Sequence, residues 1–106
     1  MPKNIPESYQ RQIIDVFNKL DDAGVFHGDA NILNYMLKKG KVYMIDFGYS
    51  KEINHRLITK LKTTRPNSEI MLLGLIIKLK ECGYDPSSWS YLRTKLSEEK
   101  RQTYKI

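Results

Sequence analysis

Between positions 70 and 79 every residue except Gly74 and Lys78 is apolar. Ile70, Met71, Leu72, Leu73, Leu75, Ile76, Ile77 and Leu79 leave a helix almost no polar side. A helix apolar all round can only lie inside other structure. This one is expected over 68–81, with Ser68 as its cap, Gly83 as its stop and Leu73 buried at its middle. In a chain of 106 residues, such an axis leaves room for one small domain over 1–106 and for little else.

The flanking segments are legible in turn. Residues 4–24 read as a helix. Asn4 with Glu7 fits a capping box, Pro6 sits in the first turn, and Ile13, Ile14, Phe17 and Leu20 share a face. Residues 25–34 have no period and crowd His27, Gly28, Asp29, Asn31 and Asn34 between apolar neighbours, the pattern of a functional loop. Tyr35 to Leu37 and Val42 to Ile45 flank Lys38-Lys39-Gly40-Lys41, a hairpin with glycine at its tip. A short helix is expected at 53–61, followed by a basic loop through Lys62, Arg65 and Pro66. The tail from Ser87 or Ser88 to Gln102 reads as a last helix, with Trp89, Leu92 and Leu96 on one side. The fold class is therefore α+β and mostly helical.

Bulk properties exclude more than they assign. Net charge is +6, but the lysines are scattered and the aromatics do not alternate with them, so nucleic acid is not the expected partner. No stretch approaches the run of about 18 apolar residues that a membrane span needs. The start Met-Pro-Lys-Asn carries no secretory apolar core. Cys82 is the only cysteine and is expected as a small buried thiol. These features give an intracellular, reducing, cytoplasmic expectation. His55 reads as surface, and Lys51, Arg56, Lys60, Lys62 and Arg65 as a solvated basic stretch.

The chemistry gathers at mid-chain. Asp29 and Asn34 are five residues apart, and Asp46 follows Asn34 by twelve, across the hairpin. Two carboxylates and an amide oxygen make a hard, oxygen-only set suited to Mg²⁺ and phosphate rather than Zn²⁺. These same residues carry a resemblance. His27-Gly28-Asp29-Ala30-Asn31-Ile32-Leu33-Asn34 resembles the H-x-D-x-x-x-x-N catalytic loop of protein kinases, and Asp46-Phe47-Gly48 their metal-binding triplet. Glu69 to Gly74 is similar to the start of their central buried helix, with glutamate in place of aspartate. The likeness spans roughly residues 7–82.

The resemblance implies a kinase C-terminal-lobe fold in which a small hairpin carries the loop and the triplet. It makes Asp29 the catalytic base and gives Asn34 and Asp46 to Mg²⁺ and the ATP phosphates. His27, Phe47, Gly48 and Glu69 would be structural, with His27 bracing the loop against Phe47. Gly28 stands where many regulated kinases have arginine, and Asn31 where serine/threonine kinases have lysine. No glycine-rich phosphate loop, strand lysine or adenine hinge precedes His27 in residues 1–26, and the stretch after Gly48 is short. The expectation is a minimal or truncated serine/threonine-type phosphotransferase using Mg²⁺ and ATP. A pseudokinase-like protein-binding module is the alternative. Trimming of this kind suggests a viral or pathogen kinase, acting in a host cytoplasm if so. A protein substrate or partner, or a second copy, is expected to cover the face left open, bordered by Leu33, Tyr35, Leu37 and Met44.

Overall fold

A computed structural model describes residues 4–28, 35–44, 51–52 and 63–106. Helix α1 (Glu7–Asp22) is followed by β1 (Val25–Phe26), β2 (Tyr35–Lys38), β3 (Lys41–Met44) and β4 (Lys51–Glu52). A π-helical turn (Asn67–Met71) then runs into α2 (Leu72–Glu81). A 3-10 turn (Pro86–Trp89), α3 (Ser90–Thr94) and α4 (Glu98–Thr103) complete the chain. The result is mostly helical α+β, with two separate two-stranded antiparallel pairs, β1 with β4 and β2 with β3. The expected helix at 53–61 lies outside the described residues.

The core joins one face of α1 to α2 and the tail. Ile13, Ile14 and Phe17 from α1 meet Met71, Leu72, Leu75, Ile76 and Leu79, together with Leu92 and Leu96. Leu73 is only partly buried and packs on the edge of this cluster, contrary to the expectation that it lies at the centre. The all-apolar stretch hides only one side completely: Leu72, Leu75, Ile76 and Leu79 are buried, whereas Leu73 and Ile77 are half-buried. The helix also begins earlier than its sequence signals suggest. Pro66 precedes the π turn, and the Ser68 hydroxyl donates to Asp21 Oδ2 at 2.6 Å instead of capping its own helix.

Three other expectations are corrected. Pro6, not Asn4, is the N-cap of α1, and no side chain caps that end. The Asn4 side-chain Oδ1 instead accepts from the Ser88 hydroxyl at 3.4 Å, so the capping box is not formed. The tail is three short helices rather than one, because the Ser97 side chain accepts from Lys100 N and starts α4 afresh. Cys82 is exposed, since it follows the last buried turn of α2. Gly24 and Gly83 do stop their helices, each in the left-handed region, at φ 76° and 77°.

Buried Gln10 binds the two ends of the chain together. Its Nε2 donates to the carbonyls of Ile5 at 2.9 Å and Ser87 at 2.7 Å. Its Oε1 accepts from the N–H groups of Tyr91 at 2.8 Å and Leu92 at 3.3 Å, which open α3. One amide thus satisfies donors that a five-residue helix cannot satisfy itself. The core also sets a testable contrast. Leu72→Ala should cost about 2–5 kcal/mol, the usual range for a fully buried leucine, and Leu73→Ala clearly less. Urea unfolding of the two variants decides it, and equal losses would contradict the assignment of the buried face.

Candidate functional site

The hairpin is built by its turn. Lys39 and Gly40 have φ of 50° and 77°, the pair of positive values that a two-residue type I′ turn requires. Pairing then runs Tyr35↔Met44, Met36↔Tyr43, Leu37↔Val42 and Lys38↔Lys41. Alternation follows from the pleat. Tyr35 and Met44 pack on the core, with the Tyr35 ring edge-on to Phe17 at 6.3 Å. Met36 and Tyr43, paired on the opposite face, are 44% and 48% exposed. The open face is therefore the Met36–Tyr43 face, not one bordered by Tyr35 and Met44; Leu33 and the Leu37 side chain lie outside the described residues. Gln12 fastens the hairpin to α1, donating to Gly40 O at 2.6 Å and accepting from Val42 N at 2.9 Å. Beside the exposed pair, a hollow of about 510 Å³ is lined by Met36, Lys38, Lys39, Tyr43 and Met44.

His27 is completely buried, and its backbone N–H donates to Asn67 Oδ1 at 3.0 Å. Asn67 Nδ2 donates to Val25 O at 2.6 Å and to Asp21 Oδ1 at 2.8 Å. Asp21 Oδ1 also accepts from Asn67 N at 2.9 Å. Asp21 Oδ2 accepts from Ser68 N at 3.1 Å and from the Ser68 hydroxyl. Arg65 approaches from outside, donating to Asp22 Oδ1 at 2.9 Å and Asn18 Oδ1 at 3.0 Å. The hydrogen bond to Asp22 and the neighbouring Asp21 charge raise the guanidinium pKa above its ordinary value. Burying a carboxylate is costly unless its oxygens are satisfied, and here both are.

Glu69, expected to be structural at the start of the central helix, has an exposed side chain, and its backbone carbonyl accepts from Lys100 Nζ. Asn67, two residues earlier, makes the contact with the His27 backbone. Sequence reasoning missed Asn67 and Asp21 because each looks like an ordinary helix-terminus residue; only the hydrogen bonds that link Asp21 to Asn67 and Asn67 to His27 set them apart. Asp29, Asn34, Asp46, Phe47 and Gly48 lie outside the described residues, as does any contact of His27 with Phe47. Among the described residues, no group of three His, Cys, Asp or Glu side chains could hold a metal ion, and no helix is long and apolar enough to cross a membrane.

Comparison with known proteins identifies a family. The RIO domain family model matches residues 1–62, more than half the chain, so the protein belongs to the RIO domain family. It is thereby a member of the protein-kinase-like superfamily, and the domain is kinase-like. A curated relative, KEOPS complex subunit Bud32 of Pyrococcus abyssi (strain GE5 / Orsay), is 44% identical over 41 residues. That stretch is 39% of this chain but only 19% of the relative, so the chain matches about a fifth of that relative's length. No solved structure matches.

Gly28 gives the local prediction. Its φ is 86°, a conformation that costs side-chain-bearing residues roughly 1–2 kcal/mol. The chain geometry itself thus favours glycine at position 28. Gly28→Ala should lose about that much stability and Gly28→Asn less, since asparagine tolerates this region. Chemical denaturation reads both, and a neutral Gly28→Ala would contradict the backbone argument.

Proposed function

We propose that the chain is the Mg²⁺- and phosphate-handling segment of a kinase-like ATP:protein phosphotransferase. The observation that carries this reading is the order His27, Asp29, Asn34, Asp46 within residues matched by the RIO domain family. Asp29 accepts or orients the proton of the attacking hydroxyl. Asn34 and Asp46 offer the hard oxygen donors that Mg²⁺ prefers; when bound, the ion neutralises charge on the transferring phosphate. Pairing one carboxylate with an amide keeps the site from repelling an anionic substrate. His27, with its backbone N–H held by Asn67, steadies the segment that leads into Asp29.

A second reading concerns assembly, and the exposed Met36–Tyr43 face favours it. Two large apolar side chains open to solvent on one strand pair are suited to being covered by another surface. A partner protein or a second copy covers the hairpin, which makes binding, with or without catalysis, part of the role. The likeness to a protein named as a subunit of a complex supports this reading.

Three measurements test these proposals. Manganese, as a paramagnetic stand-in for Mg²⁺, should bind the wild type and bind Asp46→Asn much more weakly; equal binding by both would remove Asp46 from the metal site. The 106-residue chain alone should bind Mg-ATP weakly, because residues 1–26 contain no phosphate-gripping loop. Low-micromolar affinity by calorimetry would overturn that expectation. Light scattering addresses assembly: association that Met36→Lys with Tyr43→Lys abolishes is expected, and a strictly monomeric wild type at high concentration would exclude the second copy.

A further inference from the structure

The segment between His27 and Arg65 leaves and returns at a common place. It starts from β1, whose Val25 carbonyl and following His27 N–H are both bound to the Asn67 side chain. It ends at Arg65, which reaches across to Asn18 and Asp22 of α1. Between these two points stands Asp21, whose side chain is fully shielded and whose oxygens accept from Asn67 and Ser68. Its bonds help to fix the rotamer of Asn67, with Oδ1 aimed at His27 and Nδ2 at Val25. Without the carboxylate, the Asn67 amide would lose one of the two acceptors that hold its Nδ2 end, leaving only the Val25 carbonyl.

We propose that Asp21 is a positioning residue: acting through Asn67 and Ser68, it sets the placement of the His27 segment and thereby of Asp29. This rests on the functional reading above for its second half only. Outer partners of a ligand-bearing segment commonly matter through orientation rather than contact. Here the orienting group is a buried acid on α1, and the group it orients is an amide at the start of the central helix.

The experiment compares three proteins by NMR hydrogen exchange and Mn²⁺ titration. Ser68→Ala removes one bond to Asp21 Oδ2 and is mild enough to fold; Asp21→Asn is the stronger variant. Ile76→Val, a trim of a fully buried side chain far from the carboxylate in sequence, serves as a control for lost stability. Exchange of the His27 amide should quicken in Ser68→Ala beyond any change in Ile76→Val. Mn²⁺ affinity should fall by roughly tenfold in the Asp21 variant, as for other outer-partner changes, and be unchanged in the control. If His27 exchange and Mn²⁺ affinity follow overall stability alike in all variants, the positioning role is overturned. A wild type that fails to bind Mn²⁺ would contradict the functional reading and the Asp29 half of the proposal, while His27 exchange still decides the clamp.

Discussion

A carboxylate with no exposure to water is an expensive thing to bury, and Asp21 is tolerated because the start of the central helix supplies its hydrogen bonds. Two backbone N–H groups, an amide and a hydroxyl converge on it. These are donors that a helix start would otherwise leave to solvent. The acid at the end of α1 therefore performs the capping work that the sequence seemed to assign to Ser68. It also ties α1, the segment through His27 and the central helix into one unit. Breaking a buried charge from its partners generally costs more than the interaction appears to contribute, so this junction is where the fold is least tolerant of change.

The apolar packing is arranged around the same junction. Met71 and Leu72 follow within one turn of Asn67 and Ser68 and join Ile13 and Phe17 in the core. Tyr35 leans on Phe17, which places the hairpin over the same helix. Gln12 pins the turn to α1, and Gln10 fastens the tail to it. A single amphipathic helix thus presents apolar groups to the core, the half-buried Gln12 to the hairpin and the buried Gln10 to the tail. The loop residues of the proposed site are strung between elements that this helix holds.

Much of this was readable beforehand, and the exceptions have identifiable causes. The α1 stripe, the hairpin and its glycine tip, and the glycine stops of two helices follow from local patterns, which short-range physics enforces. The H-x-D-x-x-x-x-N spacing led to the kinase-like superfamily that the RIO domain family match supports over residues 1–62. The sequence could not reveal which side of the central helix is covered, because Leu72 and Leu73 are chemically identical and only neighbours distinguish them. Nor could it show that Asn67 meets the His27 backbone, a contact across forty positions. The outward pair Met36 and Tyr43 was missed because strand alternation gives two faces without saying which is inside; Phe17 decides that.

The account depends most on one claim, that the loop and the triplet together hold a divalent cation. Anomalous scattering from crystals grown with Mn²⁺ tests it directly. The account predicts a single strong manganese peak bonded to oxygens of both Asn34 and Asp46, with the Asp29 carboxylate nearby and facing it. A manganese peak on other residues, or none at saturating Mn²⁺, would contradict it.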